Sequence, residues 1–368
     1  MTSRIANQYV PDVASPPGET LAEILADRGM SQAELAERMG RPKKTISEII
    51  GAKAELTSET ALQLERVLGV PASFWSNLER NYRDSMARVR EREQFTLHAK
   101  WPTRFPLGQM AKLGWIKRKS DPAEAVRELL SFFAVSSIDQ WQARYENEAV
   151  AYRRPAKFEP DIFALTAWLR AGEKEAEAIE CEAFSADAFR GALTDARKMT
   201  LETDPDVFVP ALRDLARACG VAVVFIPELA RSRACGVTRW ISPTKAVIQL
   251  SLRYKSNDHL WFTFFHEAGH VLLHGKREIF LELASGRVGN ADREAEADRF
   301  AADLLISRKD FARLLASAPF AEQGVRAFAK EIGIATGVVV GRLQHDEHLP
   351  HSHLNHLKIR YTWARATD

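Results

Sequence analysis

Cysteine is scarce in this sequence: its 368 residues include only Cys181, Cys219 and Cys235. The number is odd and no two of these residues form a CxxC pair. The sequence therefore supports neither a disulfide framework nor a cysteine zinc site. This usage predicts a protein of a reducing cytoplasm.

Long apolar runs and a strong net charge are missing as well. The first 20 residues lack an apolar signal segment, and no later run approaches the ~20 apolar residues that span a bilayer. We therefore expect no membrane partner. The formal net charge is only +2. Residues 1–119 nevertheless carry 19 basic against 14 acidic side chains, as expected if that end meets nucleic acid.

Short helices punctuated by glycine are predicted from residue 18 onward. Ser31 precedes one of them, with Glu34 three residues later, which is a capping box. Gly40 permits a tight turn, and Ala36 is small where two helices must approach. The predicted core positions are Leu35, Ile46 and Ile49.

The segments SQAELAERMG, KKTISEIIGAK and ALQLERVLGVPASFW resemble the phage-repressor-like (XRE) helix-turn-helix domain, most closely its HigA-type antitoxin version. The resemblance implies binding to a double-stranded DNA operator. It places Lys43, Lys44, Thr45 and Ser47 at the major groove, with Gln32 at the start of the preceding helix and Arg41 and Lys53 at phosphates. Pro42 departs from the family, which often has a Ser or Thr cap there. A helical bundle with solvated lysines, or a domain that binds another protein, remains the alternative.

A second motif, HEAGH, begins at His266 in the stretch of residues 258–275, which is predicted to form a helix up to Gly275. Side chains four apart lie on one helical face ~6 Å from each other, so His266 and His270 can bind one Zn²⁺. Glu267 can then reach a water at that ion. The predicted N-cap is Asn257 or Asp258, and Gly275 follows the helix.

Catalytic zinc needs a third protein ligand. His274 lies eight residues after His266, ~12 Å along the axis, too far for one ion. A second helix over about residues 291–306 can instead present Glu294. Asp298, one turn on, is placed to accept the free N–H of a ligating histidine, while Glu296 points away from Glu294.

HEAGH followed by EAEADRFAADLLI resembles the ImmA/IrrE family of gluzincin metallopeptidases. The resemblance implies one Zn²⁺ per chain, bound by His266, His270 and Glu294, with Glu267 as general base. It also implies a protein substrate that is itself a regulator of transcription. Ser307 stands where the family often has Pro.

A helix and three strands precede the motif, in gluzincin order. The strands are predicted over residues 221–226, 235–241 and 245–254, the last alternating apolar and polar side chains. In zincins this last strand lies at the sheet edge, where a peptide can add as another strand.

Half of the ten histidines crowd the C-terminal region: His345, His348, His351, His353 and His356. Pro350 interrupts them, and no acid or cysteine completes a known ligand spacing. Surface or docking histidines are therefore favoured over a second metal site.

These patterns predict a mainly α protein with a small α+β gluzincin-like peptidase domain and an N-terminal all-α helix-turn-helix bundle. The expected divisions are a leader (1–17), the helix-turn-helix domain (18–85), a helical linker region (86–205), the peptidase domain (206–310) and a helical tail (311–368). We expect a homodimer. The functional hypothesis is a DNA-binding regulator that cleaves a regulatory protein, and the alternative is a regulator whose zinc domain senses a ligand without proteolysis.

Overall fold

The computed structural model describes residues 15–146, 160–275, 280–283, 286–288 and 290–363. Most of the predicted leader and the middle of the predicted linker region lie outside these ranges. The chain divides into two compact units, Met1–Ala99 with Asp121–Glu124, and Lys100–Ser120 with Ala125–Asp368. Within the described ranges, no helix is long and apolar enough to cross a bilayer.

The described residues of the first unit form a bundle of five helices: α1 (Pro17–Asp27), α2 (Gln32–Met39), α3 (Lys43–Ile50), α4 (Ser58–Leu68) and α5 (Ala72–Leu97). The Ser31 side chain accepts a hydrogen bond from the Glu34 N–H at 3.1 Å, and Gly40 ends α2 with φ of 62°. Leu35, Ile46 and Ile49 lie in its hydrophobic core, as predicted, and Ala36 lies there with them. Pro42 precedes α3 and provides no side-chain cap.

The second unit begins with helices that lead to the sheet: α6 (Leu107–Lys112), α7 (Pro122–Phe133), α8 (Ile138–Trp141), α9 (Ile162–Glu177), α10 (Ala186–Lys198) and α11 (Pro205–Arg217). The Trp168 indole N–H of α9 donates to the Ile226 carbonyl at 3.1 Å. The Gln249 side chain donates to the Trp168 carbonyl at 2.8 Å. Helix α9 thus packs directly on the sheet.

The sheet has five strands in the order β1-β3-β2-β4-β5 across the described residues. The strands are β1 (Val221–Phe225), β2 (Ala234–Ser242), β3 (Lys245–Leu250), β4 (Phe280–Leu283) and β5 (Gly286–Val288). Strands β1 and β3 are parallel, and the other pairings are antiparallel. The remaining α-helices of the unit's described residues are α12 (Asn257–Leu273), α13 (Ala291–Leu305), α14 (Arg308–Leu315), α15 (Glu322–Ile332) and α16 (Thr336–His345). The mainly α fold with a small α+β portion is confirmed.

Strand β3 differs from its prediction in length and position. It ends at Leu250, before the predicted Tyr254, because the chain turns back through a Lys255 N–H to Leu252 carbonyl bond. It lies between β1 and β2, so the prediction that it forms the sheet edge is wrong. The β4–β5 hairpin, which the sequence analysis did not predict, extends the sheet beyond β2.

Helix α12 begins one residue earlier than predicted, with Ser256 at the N-cap position. Asn257 and Asp258 do not cap it, and their side chains instead contact Ile359 and Lys358. The Ile359 N–H donates to the Asn257 side chain at 3.1 Å, and the Lys358 ammonium pairs with Asp258 at 2.6 Å. Apolar side chains of α12 are buried in one hydrophobic cluster together with apolar side chains of α10, α11 and α13 to α16.

Candidate metal centre

Three buried side chains converge between α12 and α13. The Nε2 atoms of His266 and His270 are 2.9 Å apart. Glu294 Oε2 lies 3.2 Å from His266 Nε2 and 3.6 Å from His270 Nε2. Ligands of a tetrahedral zinc ion at ~2.0–2.1 Å lie roughly 3.3 Å from one another, so this donor set fits such an ion. It is the one such His/Cys/Asp/Glu group found in the described part of the chain.

A glycine allows the two helices to approach closely enough to form this group. A Cβ added to Gly269 on α12 would lie 3.2 Å from the Ala297 Cα on α13. Glu294 precedes Ala297 by three residues, about one turn, so the close packing brings its carboxylate to the histidine pair. The two imidazoles, in contrast, are brought next to each other by the spacing of four residues within α12 alone.

Asp298 meets the outer edge of one of these imidazoles. The His266 Nδ1 lies 3.0 Å from Asp298 Oδ1. A proton on Nδ1, donated to this carboxylate, leaves the Nε2 lone pair directed at the cluster. The structure therefore identifies His266 as the histidine that Asp298 contacts, a pairing that the sequence left open.

His274 and Glu296 stand outside the cluster but touch it. His274 Nδ1 lies 2.9 Å from His270 Nδ1, and His274 Nε2 lies 3.2 Å from Glu296 Oε2. The ring of Phe280, in the unpredicted strand β4, stacks on His270 with centroids 4.0 Å apart. No signal in the sequence marked Phe280.

Glu267, next to His266 on α12, lies on the side of the helix that faces β2. Its side chain is fully buried, and neither carboxylate oxygen has a hydrogen-bond partner among the residues that the structure describes. Burial raises the pKa of Glu267 to about 8. The Thr238 hydroxyl of β2 donates to the Glu267 backbone carbonyl at 3.0 Å, which fixes this turn of α12 against the sheet.

The protonation of the cluster suits a cation. Burial lowers the pKa of His270 to about 4, so its imidazole is neutral at pH 7. Burial works to raise the pKa of Glu294, but the adjacent His266 and His270 outweigh it and hold that pKa at about 2. A neutral imidazole and an ionised carboxylate are the metal-binding forms of these groups.

The side chains predicted to contact DNA lie around α2 and α3. Lys43, Lys44, Ser47 and Lys53 are exposed, and Gln32, Thr45 and Arg41 are half-buried. Arg41 pairs with Glu59 at 3.0 Å. Lys44 lies 3.7 Å from Glu48. Their roles in DNA binding stay predictions.

The C-terminal histidines do not assemble into a metal site within the described ranges. His345 Nδ1 lies 2.9 Å from Asp346 Oδ1, and His356 Nε2 lies 2.8 Å from Glu322 Oε2. Both of these histidine side chains are more than half exposed.

Two family models match separate parts of the chain. The IrrE N-terminal-like domain of the M78 peptidases matches residues 222–344, which contain the whole histidine–glutamate cluster. A helix-turn-helix domain matches residues 21–75. The chain therefore joins a DNA-binding type of domain to a metallopeptidase type of domain.

Individual relatives match the N-terminal part. An uncharacterized HTH-type transcriptional regulator, YddM of Escherichia coli, is 35% identical over 63 residues, 17% of this chain and 67% of that protein. A HigA-family antidote protein from Coxiella burnetii is 31% identical over 23% of this chain and 91% of its own, with a TM-score of 0.22. The Pseudomonas aeruginosa antitoxin HigA, solved with the higBA promoter, is 28% identical over 22% of this chain and 90% of its own, with a TM-score of 0.22.

The chain belongs to the XRE-type helix-turn-helix proteins through its N-terminal domain, and it carries an IrrE/ImmA-like M78 domain in its C-terminal part.

Proposed function

We propose that this protein is a DNA-binding transcriptional regulator whose C-terminal domain is a zinc-dependent endopeptidase acting on a regulatory protein. The observation that carries the proposal is the convergence of His266, His270 and Glu294 beside the buried Glu267. Three ligands leave one position of a tetrahedral ion open, which is typical of catalytic rather than structural zinc. A homodimer that binds a palindromic operator remains part of the proposal.

The proposed reaction is hydrolysis of a peptide bond. A zinc ion held by the three side chains supplies Lewis acidity toward a water and a carbonyl oxygen. Glu267 accepts a proton as the water oxygen bonds to the carbonyl carbon, and it delivers that proton to the nitrogen as the C–N bond breaks. Asp298 holds His266 in the tautomer that keeps Nε2 available. The sensor alternative assigns no task to the Glu267 carboxylate.

The metal assignment predicts about one zinc per purified chain. Single replacement of His266, His270 or Glu294 by Ala should abolish stoichiometric zinc, because two remaining ligands bind weakly. The measurement is atomic spectroscopy of dialysed protein, with His351→Ala as an exposed histidine control. Zinc retained in Glu294→Ala but lost in Glu296→Ala would show that the third ligand is misassigned.

The DNA assignment predicts that the full chain binds a palindromic site near its own promoter. Replacing both Lys43 and Lys44 by Ala should weaken binding at least ~10-fold, since each lost base contact costs ~1–3 kcal/mol. Electrophoretic mobility shifts at several salt concentrations test this, because phosphate contacts make the affinity fall steeply with salt. The matched control replaces Lys309 and Lys330, which are exposed lysines of the second unit.

Two results would contradict the DNA assignment in different ways. If the double replacement at α3 binds like the wild type, the contacts lie elsewhere on the domain. If the folded full chain binds no DNA even at low salt, the helix-turn-helix domain recognises a protein instead.

A further inference from the structure

The two histidines of the cluster have unequal partners. His266 Nδ1 meets the carboxylate of Asp298 at 3.0 Å, whereas His270 Nδ1 meets a third imidazole, that of His274, at 2.9 Å. His274 lies at the C-cap of α12, four residues after His270, and its side chain is only 3% exposed. It therefore sits one turn beyond the cluster, against the outer edge of His270.

The hydrogen atoms in this chain of rings can be assigned from chemistry. A neutral imidazole has one N–H and one acceptor nitrogen. His270 directs Nε2 at the cluster as an acceptor, so its proton is on Nδ1 and is donated to His274 Nδ1. His274 then carries its own proton on Nε2, where Glu296 Oε2 accepts it at 3.2 Å. Every donor thus meets an acceptor from the cluster outward to Glu296.

Packing fixes the remaining freedom of these rings. Phe280 covers the face of His270 at an interplanar angle of 14°, and its centroid lies 5.0 Å from that of His274. Glu296 is 49% exposed at the outer end. The series of hydrogen-bonded side chains His270, His274 and Glu296 therefore extends from a buried ring to the protein surface.

We propose that His274 and Glu296 are positioning residues that orient His270 toward the metal, as Asp298 orients His266. The proposal rests on zinc binding at the cluster and adds roles for two residues that cannot ligate. Loss of such an outer partner typically costs 10–100-fold in metal affinity. The loss of zinc affinity should be largest on replacing His274, which contacts the metal-ligating residue His270, and smaller on replacing Glu296.

The test measures the zinc dissociation constant of the full chain by competition with a chromophoric chelator. His274→Leu removes the acceptor and should weaken zinc binding ~10–100-fold. His274→Asn can place its amide oxygen near the position of Nδ1, so it should restore most of the loss. Glu296→Ala should weaken binding by a smaller factor. Asp292→Ala, an exposed carboxylate on the same helix, is the matched control and should bind like the wild type.

The outcomes separate this proposal from the metal assignment itself. If the wild-type chain binds no zinc, the proposed function fails. If the wild type binds zinc and His274→Leu binds it equally well, the positioning role is wrong while the metal centre stands. Equal weakening in His274→Leu and His274→Asn, with Glu296→Ala unchanged, would also overturn the proposal, because His274 would then only fill space. Circular dichroism checks that each variant is folded.

Discussion

Replacing Glu267 by Gln should lower peptide hydrolysis by ~10²–10⁴-fold, the range over which a general base contributes. An amide cannot accept the proton of the attacking water, although it has nearly the same volume as the carboxylate. Zinc content should stay at the wild-type level, because Glu267 is not one of the three converging side chains. The measurement is mass spectrometry of a peptide mixture from digested cell protein, incubated with each zinc-loaded variant.

The same variant separates a peptidase from a sensor in cells. A peptidase that must cleave a regulatory protein should lose control of its target promoter with Glu267→Gln, even though zinc and operator are still bound. A promoter reporter measures this, with His351→Gln as a control for a remote polar substitution. Normal promoter control by Glu267→Gln would rule out proteolysis as the regulatory event and favour the sensor.

Features that depend on local spacing could be predicted from the sequence. Ser31, Glu34 and Gly40 define the ends of α2 through capping and a left-handed residue, both of which are local effects. The approach of His266 to His270 follows from the helical period alone. The helical rise likewise predicts that His274 cannot share one ion with His266.

Features that depend on pairing between distant segments could not be predicted. The alternation that suggested a strand up to Tyr254 did not show that the chain turns after Leu250. The position of β3 inside the sheet depends on β1 and β2 lying on either side of it. Asn257 looked like a cap, but it bonds to Ile359, more than 100 residues away, which no periodicity reveals.

The contact of Glu296 with His274 is a feature that an inference from helical spacing leaves out. Its two-residue offset from Glu294 predicts that both cannot reach one ion. The offset gave no information about His274, because it does not say where α13 meets the end of α12. A tertiary contact thus gives a role to a residue that local spacing had excluded from ligation.

Gly236 gives the second large expected effect. A Cβ added at this position of β2 would lie 2.6 Å from Glu267 Oε1 and 2.6 Å from Thr263 Cγ2, closer than atoms can pack. Gly236→Ala should therefore displace the Glu267 carboxylate and lower hydrolysis at least ~10-fold, toward the limit of general-base loss. Zinc content should be unchanged, and overpacking should cost ~1–3 kcal/mol of stability.

A double-mutant cycle shows whether Gly236 acts through Glu267. In the Glu267→Gln background the proton acceptor is already absent, so adding Gly236→Ala should lower the residual hydrolysis little further. Gly324→Ala is the matched control, because a Cβ at that position of α15 meets no atom within 4 Å. Additive losses in the double variant would mean that Gly236→Ala damages the site by another route, such as a shift of Thr263 and α12. Wild-type hydrolysis by Gly236→Ala itself would show that the Glu267 carboxylate does not need its buried position beside β2.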